Sequence, residues 1–200
     1  MTTDEKTNPW LTLHSKQVYD NAWISVREDA VIRPGGEQGI YGVVHFKNIA
    51  IGILAVEDDF IYLVGQYRYP LEQYSWEIPE GGCAEGEDPL AAAQRELEEE
   101  TGLRADRWEK LGESHLSNSV SDEQAIWYLA TELTQGEHRP EGTERLKIRC
   151  TPFLEALEMA LTGKITDALS LLALMHYQLL QARPIGLDNK ELRKSRQHLQ

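Results

Sequence analysis

Glu96, Glu99 and Glu100 stand at i, i+3 and i+4 of the run Arg95-Glu96-Leu97-Glu98-Glu99-Glu100. If that run is helical, three carboxylates share one face. Like charges so close repel one another, and the arrangement is costly unless something positive sits among them. A hard divalent cation such as Mg2+ takes oxygen ligands and is commonly held by a few carboxylates together with substrate phosphates. An acidic helix face is by itself usually just a solvated surface, so the flanking residues must decide between the two readings.

The flanks point to a capped helix beside a tight loop. Asp88 suits an N-cap and Pro89 then falls at N1, where its missing N–H costs nothing. Gly102 can stop the helix in the left-handed conformation. Leu90, Ala93 and Leu97 supply the opposite, buried stripe. A glycine-rich stretch, Glu80-Gly81-Gly82-Cys83-Ala84-Glu85-Gly86, comes just before.

With the loop included, Gly81 to Leu103 resembles a Nudix box, G-x5-E-x7-R-E-U-x-E-E-x-G-U, where U is a bulky apolar residue. Gly81, Glu87, Arg95, Glu96, Leu97, Glu99, Glu100, Gly102 and Leu103 match all nine fixed positions. The resemblance implies an α+β fold, the Nudix α/β/α sandwich on a mixed sheet, and metal-dependent hydrolysis of a nucleoside diphosphate linked to another moiety. It implies Glu96, Glu99 and Glu100 as ligands of Mg2+ or Mn2+, with the backbone carbonyl of Glu80 beside them. Arg95 is expected to pair with a box carboxylate such as Glu87, and Glu98, at a free position, to face solvent.

Outside the box, Gln66-Tyr67-Arg68-Tyr69-Pro70 and Trp76-Glu77-Ile78-Pro79-Glu80-Gly81 resemble the ADP-ribose and nucleotide-sugar pyrophosphatase branch. This implies substrate binding at Arg68 and Glu77, with Arg68 gripping the diphosphate by a charge-assisted pair; a structural Arg68–Glu77 pair is the alternative. Tyr67, Tyr69, Tyr74 and Trp76 offer faces on which a base or sugar could stack, or else pack in the core. His115 and Ser117 are further candidates for substrate contact. The branch places its catalytic base on a late loop, which here implies Glu144 or Glu141. A proline that the ADP-ribose branch carries after the box is missing from Leu116–Glu123, which keeps other nucleotide sugars such as GDP-mannose open. Competing readings are a Nudix domain that binds nucleotide sugars without hydrolysing them, and a Nudix enzyme for another nucleotide, such as a nucleoside triphosphate or an RNA cap. The intact box disfavours the first.

Those residues need a scaffold. Two hundred residues, 41% hydrophobic, suffice for one domain with a small appendage. The net charge of −13 argues against nucleic acid or anionic membrane as a partner. Two isolated cysteines, Cys83 and Cys150, form no zinc pattern or disulfide framework. The polar start MTTDEKTNPW is not a signal peptide, and no apolar run approaches membrane-spanning length. A cytoplasmic protein is expected.

Residues 1–46 are predicted to form a tail and a small β subdomain, with a hairpin turn at Asp20-Asn21 and another turn at Pro34-Gly35-Gly36. So short an all-strand unit is not stable alone and is expected to pack on the main domain or on a second subunit; the resemblance to the branch implies the latter, a homodimer through this segment. Residues 47–182 are the expected hydrolase domain. In it Ile49–Val56 and Phe60–Tyr67 form a hairpin, 108–113, 124–129 and 147–150 are strands, and 152–162 and 167–182 are helices. Leu169, Leu172, Ala173, Met175, His176 and Leu179 are expected along one side of the last helix. Residues 183–200 read as a charged tail.

Overall fold

The computed structural model describes residues 7–136 and 146–182. The expected tail at 183–200 and the candidate bases Glu141 and Glu144 lie outside the described residues.

Three strands, β1 (Leu11–Asp20), β2 (Ile24–Ile32) and β3 (Gln38–Phe46), form an antiparallel sheet of their own. Asn21 makes the first turn: its side-chain oxygen accepts from the N–H groups of Trp23 and Ile24, both at 2.8 Å. Such a local bond is why Asn favours turns.

The remaining strands build a second, seven-stranded sheet. Its spine runs β10 (Lys147–Pro152), β5 (Phe60–Arg68), β4 (Ile49–Glu57), β9 (Gln124–Gln135), β8 (Leu103–His115). The short β6 (Gln73–Glu77) pairs with β5, and β7 (Glu80–Cys83) with β4. β4 and β9 run parallel while the other pairs are antiparallel, so the sheet is mixed.

Alternation along the central strands feeds two cores, as the pleat requires. Ile51, Ile53 and Ala55 of β4, with Ile126, Tyr128 and Ala130 of β9, pack under α1 (Pro89–Thr101). Leu54 and Val56, with Ala125 and Trp127, pack on the opposite face under α2 (Phe153–Leu161) and α3 (Ala168–Gln181). The result is an α/β/α sandwich, as the resemblance implied. Among the described residues no helix is long and apolar enough to cross a membrane.

Two local expectations change. The β4–β5 hairpin is paired only at Val56–Ile61 and Glu57–Phe60; the rest of β4 is taken by β7 and β9, since a strand in mid-sheet has both edges to satisfy. The buried side of α3 is Leu169, Ser170, Ala173 and Leu174, whereas Leu172, Met175 and Leu179 are exposed. The buried stripe is rotated away from the most apolar residues because a buried serine, Ser170, lies within it. Loop 116–123, between β8 and β9, is where the N-terminal sheet attaches. Val44 donates to Val120 O at 2.9 Å, the Tyr41 hydroxyl to Ser119 O at 2.6 Å, and His45 Nδ1 lies 2.6 Å from Asp122 Oδ2.

Candidate active site

The carboxylate helix begins and ends where its sequence dictates. The Asp88 side chain accepts from Ala91 N at 3.0 Å, Pro89 occupies the first turn, and Gly102 closes the helix at φ 69°. Ala92, Ala93 and Leu97 are buried, which turns Glu96, Glu99 and Glu100 toward the loop and β7.

Arg95 organises that face. Its Nη1 donates to Glu96 Oε1 at 2.7 Å and to Glu99 Oε2 at 3.1 Å. Nε donates to Glu87 Oε1 at 3.2 Å, and Nη2 to Glu87 Oε2 at 3.3 Å and to the carbonyl of Gly82 at 2.9 Å. Burial works against the guanidinium charge, but Glu87 and Glu96 and then Glu99 outweigh it and raise its pKa. The same contact, with the Ala84 N–H added, holds the Glu87 carboxyl below its ordinary range. One arginine thus ties the loop to the helix.

Gly81 lies directly under the end of the Glu96 side chain. A Cβ there would sit 1.9–2.3 Å from the Glu96 carboxylate, so the absence of a side chain is what admits that group. Burial pushes the Glu96 carboxyl up, against the opposing pull of Arg95. Glu100 is only 3% exposed and its Oε2 accepts from the backbone N–H of Glu80 at 2.8 Å. Glu98 does not face open solvent: it is half-buried and paired with Arg104 at 2.6 Å.

Residues 77–80 are fixed from several directions. Arg68 donates through Nε to both oxygens of Glu77 at 3.0 Å and through Nη2 to Oε2. Glu77 is buried while Arg68 is 36% exposed, so part of the guanidinium remains open. Burial lowers the Arg68 pKa, but Glu77 above all more than restores it. The Glu80 carboxyl points away from the helix and accepts from Ser170 Oγ of α3 at 3.0 Å. Burial first, then Asp167 and Glu77, push that carboxyl well above the usual range, with Ser170 opposing.

The donor set fits a hard cation. It is all oxygen, it lies in a cradle that a Cβ would fill, and a cationic group already bridges Glu96 and Glu99. Among the described residues no three His, Cys, Asp or Glu side chains converge closely enough to hold a metal as they stand. Arg95 draws Glu96 and Glu99 one way, and the Glu80 N–H draws Glu100 another.

The aromatic candidates divide. Tyr67 and Tyr69 are exposed. Tyr74 and Trp76 meet edge-on, ring centroids 5.6 Å apart, and lie across Gly65, where a Cβ would be 2.4 Å from the Tyr74 hydroxyl. Lys147 and Arg149 of β10 stand over these two rings at 5.8 and 5.9 Å. Tyr74, Trp76 and Arg149 line an open groove of about 750 Å³ together with Met159, Lys164 and Thr166. His115 ends β8 opposite Gln124, and the carbonyl of Ser117 accepts from Val120 and Ser121 inside the attachment loop. Sequence reasoning missed Asp167 and Ser170, although Asp167 was detectable as an N-cap.

The model for the NUDIX domain matches residues 46–172. The chain belongs to the Nudix family. A second model, the nucleoside diphosphate sugar hydrolase N-terminal domain, matches residues 9–44. Among curated relatives, the ADP-ribose pyrophosphatase of Mycobacterium tuberculosis is 34% identical over 188 residues, covering 90% of this chain and 89% of that one. The methanol dehydrogenase activator of Bacillus methanolicus is 30% identical over 173 residues, covering 86% and 94%. A solved structure, described as the crystal structure of an ADP compounds hydrolase, superposes with a TM-score of 0.79 at 21% identity, covering 88% of this chain and 97% of that one. At that identity the likeness concerns the fold.

Proposed function

We propose that this Nudix hydrolase cleaves the pyrophosphate bond of a nucleoside diphosphate linked to a sugar, ADP-ribose being the leading candidate, to give a mononucleotide and a sugar phosphate. The observation that carries the reading is the joining of an intact box to a separate three-stranded sheet whose sequence matches the nucleoside diphosphate sugar hydrolase N-terminal model. The M. tuberculosis relative, aligned along nine-tenths of the chain, supports ADP-ribose.

The barrier to this reaction is electrostatic. Anionic oxygens repel the attacking water, and the leaving group departs as a phosphate. Glu96, Glu99 and Glu100, with the Glu80 carbonyl, are the groups that would hold Mg2+ or Mn2+. Bound there, the ion supplies charge neutralisation and a water of lowered pKa. The open part of Arg68 presents donors to the diphosphate while Glu77 fixes its plane. The test is a nucleotide-sugar panel incubated with Mg2+ and read by mononucleotide release. Hydrolysis of ADP-ribose that stops in EDTA is expected; equal turnover in EDTA would refute the reading.

Glu144 is the proposed general base, with Glu141 the alternative. The chain re-enters the sheet at Lys147, opposite Gly65 and three residues from Arg68 on β5. Glu144→Gln is expected to lower kcat by about 10²-fold or more with little change in KM, since proton transfer and not binding is lost. Near-normal kcat in both single variants and in the double variant would place the base elsewhere.

The protein is proposed to act as a homodimer through residues 1–46. Every residue of β1 is exposed, and Trp23 and Ile40 are 68% and 67% exposed. Apolar surface on so small a sheet asks for a covering partner, and a second copy supplies one of the same chemistry. Light scattering should give twice the 22.8 kDa chain mass; a monomer at working concentration would contradict this. The free thiols of Cys83 and Cys150 suit the reducing cytoplasm.

A further inference from the structure

We infer that Ser170 is a positioning residue of the metal site, acting from α3 through Ile78 and Glu80; the inference rests on the proposed metal-dependent reading. Ser170 is 0% exposed and lies on the apolar side of its helix beside Leu169, Ala173 and Leu174. A hydroxyl there is costly to bury unless it is paired. It is paired twice: it accepts from Ile78 N at 3.0 Å and donates to Glu80 Oε1 at 3.0 Å. Both partners are some ninety residues away in the chain and flank Pro79.

The rest of this short segment is held by other elements. Ile53 of β4 donates to Pro79 O at 2.9 Å, and Glu100 of α1 accepts from Glu80 N at 2.8 Å. Among the described residues, Ser170 bonds through its hydroxyl to a residue on each side of the proline. It is itself fixed, because Asp167 caps its N–H at 2.7 Å and Leu169 fills the space over Gly52, where a Cβ would be 2.8 Å away. The first turn of α3 therefore acts with the β4 pairing of β7 to set where Glu80 lies relative to Glu96 and Glu100. Mg2+ demands near-ideal ligand geometry, and groups that orient ligands weigh on affinity as ligands do.

The experiment is Mn2+ binding without substrate, followed by the EPR signal of free Mn2+, together with steady-state hydrolysis at saturating metal. Ser170→Ala and the near-isosteric Ser170→Cys should each weaken Mn2+ binding about tenfold. KM for the nucleotide sugar at saturating metal should stay within about twofold. Phe153→Leu, which loosens the same core from α2, is the control: its melting temperature should fall while its Mn2+ affinity holds. Wild-type affinity in both Ser170 variants, or an equal loss in Phe153→Leu, overturns the inference and leaves the metal reading standing. A wild-type protein that binds no Mn2+ overturns both.

Discussion

Glu100→Gln should reduce kcat/KM for the nucleotide sugar by about 10³-fold and leave the melting curve nearly unchanged. The geometry separates the two effects. Glu100 is buried and one oxygen accepts from the Glu80 N–H. Glutamine retains a carbonyl oxygen for that bond, so the link between α1 and β7 survives. What disappears is a negative charge in a poorly solvated place, where it counts for more than it would in water. Glu98→Gln is the internal comparison: it changes the same charge on the same helix, but Glu98 pairs with Arg104 and its activity should stay near wild type. Steady-state kinetics and thermal melts of both variants check this. A fully active Glu100→Gln would remove Glu100 from the metal set.

Arg68→Ala should cost both stability and activity. It strands Glu77, a buried carboxylate whose described partner is the Arg68 guanidinium. Breaking such a pair from one side costs about 3 kcal/mol, the low end of the usual range because Arg68 is partly in water. Arg68→Met combined with Glu77→Leu removes the stranded charge and should regain most of that loss. Activity should not return with it, because the open guanidinium donors proposed to grip the diphosphate are still missing. Denaturant unfolding and KM for the nucleotide sugar, measured on single and double variants, separate the two roles. Recovery of KM in the double variant would show that Arg68 serves the fold alone.

The parts of the site legible in the sequence are those governed by local rules. Asp88, Pro89 and Gly102 bound the helix within a few residues, and capping depends on nothing further away. The Arg95–Glu87 contact also belongs to one loop–helix unit. The parts that were hidden depend on partners remote in sequence. β6 and β7 are short, carry Glu and Gly, and exist because β5 and β4 offer them an edge. The far ends of β8 and β9 pair with each other from Leu103–Gln135 onward, where neither strand has an apolar run to mark it. Ser170 was passed over because a serine among leucines looks like a polar position, and only its bonds to Ile78 and Glu80 explain its burial.

The guanidinium of Arg95 has a further effect on how the protein responds to its surroundings. It already offsets the repulsion among Glu87, Glu96 and Glu99, so the acidic face does not depend on an ion to hold together. Chains whose fold is created by their metal unravel when it is withdrawn. Here loss of the ion should leave a folded, silent enzyme that restarts on resupply without refolding. Turnover would then follow free Mg2+ from moment to moment, up and down, and chelation would act as a pause instead of a death sentence.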